Sequence, residues 1–306
     1  MSAGLGRFLI RRFVTAGIFV LVVSSSALVL ARLAPGDAAT DLLLSRANAT
    51  TIAQTRARLQ LDRPIVWQLG AWLNGLAHLD LGRSSLFDRP VADLLRERAA
   101  RTATLAFAAL AIATGLALPV GVLTGSRPRG AFARIVTPVS LALVACPPLL
   151  GALGLLWLAL ATRWLPAGPG SLAVPVLALA LPIAAAIERL QSQATAEALA
   201  APDLTAAAAR GVPAARVLWV HAARQSLRPV LGIFGIVIGS LFSGSLAVEF
   251  VTSWPGLGRL TYEAIVGRDV FLVAGCALAG GVLIAFGNIV ADVVRAIADP
   301  RVAETW

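Results

Sequence analysis

Six apolar runs, each close to the length that crosses a bilayer, leave this chain few folds to choose from. They cover residues 13–31, 102–124, 135–161, 172–187, 230–248 and 271–291. About 20 apolar residues traverse a hydrocarbon core as a helix. In lipid only a helix or a closed barrel satisfies its own backbone. The runs are continuous rather than alternating with period two, which argues against barrel strands. The expectation is an all-α integral membrane protein with six transmembrane helices. Composition agrees: 58% of the 306 residues are hydrophobic and 14% charged, too little charge for an aqueous surface of that size. The first run follows Arg7, Arg11 and Arg12 as a secretory signal would, but no small-residue cleavage site follows it. It is read as an uncleaved first helix.

Charge placement orients the chain. The formal net charge is +10, and every basic residue is arginine. Arg7, Arg11 and Arg12, then Arg127, Arg129 and Arg134, then Arg189, Arg210, Arg216, Arg224 and Arg228, then Arg295 and Arg301 fall on one side if there are six crossings. By the positive-inside rule both termini and the 188–228 segment are cytoplasmic. The long outer segment, residues 32–101, is also arginine-rich, but loops of that length translocate regardless of charge. It is expected to fold into small helices over residues 52–61 and 66–79, with a turn at Leu81-Gly82-Arg83-Ser84. Arginines at the ends of apolar runs are anchors, so the positive charge does not indicate nucleic-acid binding; membrane lipid is the expected surroundings. Trp157, Trp164 and Trp254 are assigned to an interfacial belt.

Several chemistries are disfavoured. Without lysine there is no Schiff base and no phosphate-binding lysine of a Walker A loop, so the chain itself is not a P-loop ATPase. His78 and His221 are the only histidines and fall on opposite predicted sides; Cys146 and Cys276 lie within apolar runs. No catalytic residue, metal ligand set or resident cofactor is expected. None of the six runs holds Asp, Glu or His; Glu188, Glu249 and Asp292 lie just beyond their ends. Proton or sodium coupling is therefore disfavoured. Glu249, near the predicted outer mouth, is read first as a partner of Arg259 or another loop arginine, and second as the one candidate for meeting a cationic solute along a transport path.

The polar, alanine-rich stretch at residues 188–228 interrupts the apolar pattern and carries helix punctuation. Asp203 after Pro202 is placed as an N-cap, residues 204–210 make about two turns, Gly211 suits a left-handed closing position, and Pro213 prevents continuation. A helix this short cannot span a bilayer. It suits a surface helix for a partner, built from Asp203, Leu204, Thr205, Ala206, Ala207 and Arg210, with Gly211 and Arg216 behind. Trp254, Pro255, Gly256, Leu257 and Gly258 read as a tight structural turn after the fifth run.

With those residues in view, the chain resembles the inner-membrane permease subunits of ATP-binding-cassette (ABC) importers for dipeptides, oligopeptides and nickel, specifically the first of the two paired permeases. The similarity rests on Leu33-Ala34-Pro35-Gly36-Asp37, Leu61-Asp62-Arg63-Pro64, Asp80-Leu81-Gly82-Arg83-Ser84, Arg89-Pro90-Val91, Ala180-Leu181-Pro182, the stretch from Gly211 to Pro229, Ser253-Trp254-Pro255-Gly256-Leu257-Gly258-Arg259 and Asp299-Pro300-Arg301. The resemblance covers nearly the whole chain. It implies a type I importer permease fold, residues 1–306 as one transmembrane domain, in the bacterial cytoplasmic membrane. It further implies a second similar permease, two ATPase subunits that bind ATP and Mg, and an extracytoplasmic solute-binding protein. The 188–228 segment then corresponds to the family's coupling motif. One departure stands out: Thr205 occupies the place of a glutamate common in that motif, which thins the charged contacts to an ATPase. The contrasting reading is a passive channel or a scaffold whose surface helix binds something other than an ATPase; for the importer itself, nickel or another small solute stands beside peptides.

Overall fold

The computed structural model describes residues 2–34, 63–166, 168 and 170–298, with side chains from residue 10 to residue 294. The expected helix at 52–61 and the motifs at 35–37, 61–62 and 299–301 lie outside the described residues. Among the described residues all regular structure is helical, apart from one isolated bridge between Arg83 and Pro90. In chain order the helices are α1 (Ser2–Leu33), α2 (Ile65–Ala77), α3 (Val91–Ser126), α4 (Ala131–Ala145), α5 (Pro148–Thr162), α6 (Ala173–Ala200), α7 (Pro202–Ala209), α8 (Ala214–Arg216), a π-helical segment (Val217–Ala222), α9 (Ala223–Gly232), α10 (Phe234–Val251), α11 (Leu257–Val266) and α12 (Val270–Ala298). Five are long and apolar enough to cross a membrane, and the bent pair α4–α5 makes a sixth crossing if taken as one span.

The helices depart from the apolar runs in three informative ways. Helix α3 begins at Val91, eleven residues before its run, and spans 36 residues. At 1.5 Å per residue that is about 54 Å, well beyond a hydrocarbon core. The segment between the first two spans is correspondingly shorter than 32–101, because residues 91–101 are helical. The third run is broken: α4 and α5, 15 residues each, meet at 110° around Cys146 and Pro147. The cause is Pro147-Pro148, which supplies no N–H to continue α4 and holds Cys146 in extended geometry (φ −82°, ψ 116°). Helix α6 runs through residue 200, so the first third of the polar stretch is part of a membrane helix rather than a surface loop. Pro182 sits inside α6 without ending it.

The chain divides into two compact units. The first comprises residues 1–8, 104–254 and 286–306. Its core joins two rows of residues spaced four apart: Leu105, Ala109, Ala113 and Ala117 on α3, and Leu179, Ile183 and Ile187 on α6. Side chains at i and i+4 form one ridge of a helix, and small ridges let two backbones approach closely. The α3 row continues into Gly121 and Gly125. A Cβ at Gly121 would meet the Gln191 Cβ at 2.6 Å, and one at Gly125 would strike the Ser192 carbonyl oxygen. Here α3 and α6 touch backbone to backbone.

The second unit comprises residues 9–103 and 255–285. Val91, Leu94 and Leu95 pack with Leu257, Leu260, Leu272 and Cys276, and Leu28 and Trp72 pack with Ala274. Asp269 organises its polar part. One oxygen accepts the Leu272 N–H at 3.1 Å, capping the start of α12. The other accepts the Ser84 hydroxyl at 2.7 Å and the Leu86 N–H at 3.1 Å. The turn expected at residues 81–84 is present, with Gly82 at φ +75° and its N–H donating to Asp80.

Candidate functional site

The surface helix is α7, and its construction begins one residue before it. Pro202 forces Ala201 into extended geometry (φ −67°, ψ 144°), which ends α6 and makes Ala201 the N-cap of α7. Asp203 is therefore not the cap: Pro202 takes the first helical position, and Asp203 sits in the first turn with no capping bond. A carboxylate there still opposes the positive end of the helix dipole. The Thr205 hydroxyl folds back to the Pro202 carbonyl at 2.9 Å, so it does not reach outward as a longer acidic side chain would.

Leu204 is the anchor of α7. It is 5% exposed and packs with Ala198, Val217 and Ala222 in a small core of its own. Asp203, Thr205, Ala206, Ala208, Ala209 and Arg210 face outward, with Ala207 half-buried. Gly211 closes the helix at φ +84°, its N–H donating to the Ala208 carbonyl at 3.0 Å. Pro213 then caps the next helix. Arg216 is exposed at the end of α8, and beyond it the π-helical turn tucks Val217 and Ala222 inward. A cleft of about 370 Å³ between α7 on one side and the π-helical segment and α9 on the other is lined by Asp203, His221, Arg224 and Arg228 among others.

Behind this surface lies a feature that hydropathy alone did not reveal. Along α6, Glu188, Gln191 and Thr195 point inward and are buried, while Arg189, Gln193 and Glu197 face out. Glu188 accepts hydrogen bonds from Thr124 of α3 at 2.6 Å and Ser140 of α4 at 2.7 Å. Gln191 donates to Thr195 at 3.1 Å and to Ser226 of α9 at 2.6 Å. Four helices are thus joined by one buried polar ladder. The signal was in the sequence: polar residues at 188, 191 and 195 recur with helical spacing, the pattern of one continued face.

The two remaining sites differ in kind. Trp254 is 7% exposed and belongs to the core of the first unit, so it is not part of an interfacial belt; Trp157 and Trp164 are 71% and 89% exposed. The Trp254 N–H closes a turn onto the Glu249 carbonyl at 2.9 Å, next to Ser253 at φ +54°. Pro255 and Gly256 lead into α11, where the Leu257 N–H donates to the Thr102 hydroxyl at 2.7 Å and Leu257 and Gly258 are buried. Glu249 is fully buried near the end of α10, so this conformation presents no surface of it to solute. Arg259 pairs with Glu263 at 2.9 Å.

Comparison with known proteins places this geometry. Residues 117–304 match the family described as binding-protein-dependent transport system inner membrane component, and residues 5–106 match the N-terminal portion of such membrane components. A putative peptide transport system permease protein of Brucella abortus is 33% identical over 296 residues, covering 92% of this chain and 94% of the relative. The oligopeptide transport system permease protein AppB of Bacillus subtilis is 28% identical, covering 96% and 98%. The nickel import system permease protein NikB of Staphylococcus aureus is 26% identical, covering 93% and 88%. This chain belongs to the family of inner-membrane permease components of binding-protein-dependent ABC importers. It is a multi-pass membrane protein of that class.

Proposed function

We propose that this chain is one of two pore-forming permeases of an ATP-driven peptide importer, and that α7 is where an ATPase subunit docks. The observation that carries this reading is the build of α7. It is an eight-residue helix with an alanine-rich outer face, held by one buried leucine and closed by a left-handed glycine. A small-residue face permits close approach to a groove in a partner. Only Ala201 separates α7 from the 28-residue α6, so a push on α7 is passed directly to a membrane helix. On this reading the chain is non-catalytic. ATP and Mg belong to two partner ATPases, solute arrives on an extracytoplasmic binding protein, and both termini are cytoplasmic. Alternating access comes from rigid-body rocking of the helices attached to the coupling segment. Peptides are favoured as cargo by the Brucella and Bacillus relatives; the NikB likeness makes nickel the competing cargo.

Affinity purification of the tagged chain, co-expressed with its chromosomal neighbours, tests the assignment. Recovery of a second permease with an ATP-binding protein is expected, and Gly211→Pro should abolish recovery of the ATPase. Proline fixes φ near −65° and removes the N–H that closes α7, so it cannot replace a glycine at φ +84°. Recovery of the chain alone, or as a homo-oligomer, would point instead to a channel or scaffold.

A further inference from the structure

The cleft between α7 and α9 gathers positive charge that the docking of α7 leaves unused. Its volume of about 370 Å³ is at the small end of ligand sites, suited to a headgroup rather than a whole lipid. His221, Arg224 and Arg228 line it at successive three- and four-residue intervals, the spacing of one helix face. All three are exposed, so a ligand can reach them from outside. Like charges four residues apart on a helix repel each other. Among the described residues no ion pair or side-chain hydrogen bond engages either guanidinium. Asp203, exposed on the opposite wall, pairs with neither. One carboxylate against two guanidiniums leaves the cleft positive.

Depth selects the ligand. The fifth apolar run begins at residue 230. Helix α9 passes into α10 through Ile233 alone, itself in helical geometry (φ −92°, ψ −5°). At about 1.5 Å per residue, Arg228 lies at most about 3 Å outside that run and Arg224 at most about 9 Å. A headgroup layer is about 5–7 Å thick on each side of the hydrocarbon, so long guanidinium chains at these two positions reach phosphate level. We propose that the cleft binds the phosphate of an anionic phospholipid, held between Arg224 and Arg228. Guanidinium recognises phosphate oxygens through paired N–H bonds. Basic pockets at the cytoplasmic ends of membrane helices suit anionic headgroups, and the orientation proposed above puts this cleft at that end. Asp203 can accept a hydrogen bond from a headgroup hydroxyl, which phosphatidylglycerol carries. A headgroup seated there ties α7 to the foot of α10, so the leaflet takes part in positioning the surface helix. The site requires neither the cargo nor the ATPase contact proposed above.

The test is lipid binding to the purified full chain, read by native mass spectrometry with phosphatidylglycerol and phosphatidylcholine as probes. Phosphatidylglycerol should bind in preference, and an excess of inorganic phosphate should not displace it. Arg224→Gln combined with Arg228→Gln should raise the dissociation constant of the tightest phosphatidylglycerol about tenfold or more, the effect of lost charge-assisted hydrogen bonds. Arg224→Lys combined with Arg228→Lys keeps the charge and should retain most of the binding. Arg127→Gln combined with Arg129→Gln removes the same charge from exposed positions outside the cleft and should leave the constant unchanged. Equal binding of the two lipids, or equal losses in the two glutamine pairs, would mean a diffuse positive surface and overturn the proposal. Displacement by inorganic phosphate would make the ligand a soluble anion and overturn it too. ATPase capture by the co-expressed complex separates a protein contact from a lipid one. Its loss in the Arg224 and Arg228 glutamine pair, with lipid binding unchanged, would assign both arginines to the ATPase and sink the lipid site alone. Lipid binding that depends on the pair, with no ATPase recovered even by the unaltered chain, would sink the importer reading alone.

Discussion

At the residue scale, two glycines and one aspartate carry more than their size implies. Gly125 lies where a methyl group would enter the Ser192 carbonyl, a backbone atom that cannot swing away. Gly125→Ala should cost about 1–3 kcal/mol, the range for overpacking, and lower the melting temperature of the purified protein. Gly154 has nothing within 4 Å of a Cβ, so Gly154→Ala should leave melting unchanged or raise it slightly. A similar loss in both variants would refute the close approach of α3 and α6. Asp269 caps α12 and holds residues 84–86 through three bonds. Asp269→Ala removes the cap and leaves the buried Ser84 hydroxyl without its acceptor. The expected cost is about 1–3 kcal/mol, with faster proteolysis in the 84–90 segment. Unchanged cleavage there would show that the carboxylate is not what holds the segment. The Gly211 closure was legible in sequence because glycine before a proline has a local meaning. Gly125 was not, because its constraint comes from a helix more than sixty residues away.

At the element scale, α7 is the part whose failure should be most selective. Ala207→Pro removes an interior N–H and clashes with the preceding turn, costing about 3 kcal/mol in a helix of two turns. The helix should melt while the membrane helices persist. The chain should still reach the membrane, with loss of ATPase capture and of ATP-dependent uptake. Retained uptake would assign coupling elsewhere. Membership of α7 was readable from Pro202, Gly211 and Pro213, but the identity of its cap was not. A proline placed one position earlier than the aspartate took the first turn and displaced it. The same kind of local rule governs α4 and α5, where two consecutive prolines turn one apolar run into two helices. Hydropathy averages over such a break, so it is invisible to a window that counts only greasiness.

At the scale of the whole molecule, the orientation proposed from arginine placement gives a direct expectation. In the background lacking Cys146 and Cys276, Ala206→Cys should react with an impermeant maleimide only from the cytoplasmic side, and Asp88→Cys only from outside. Both side chains lie on exposed surface. Labelling of both positions from one side would overturn the six-crossing topology.

By itself the sequence determined the class of this protein, the number of apolar segments and the existence of a punctuated surface helix between two of them. Those follow from quantities local to the chain: transfer of a run of side chains into lipid, and the backbone habits of proline and glycine. Tertiary structure decided where the long helices end and which polar residues belong inside. Transfer to lipid penalises Glu188, Gln191 and Thr195, so hydropathy stops the fourth run at residue 187. Thr124, Ser140 and Ser226 supply the hydrogen bonds that lipid cannot, and with those partners α6 continues, buried, to residue 200. The same reasoning buries Trp254, whose surroundings are protein rather than membrane interface. Hydropathy compares water with lipid, whereas the interior of this protein is a third solvent, one that only the packed helices create.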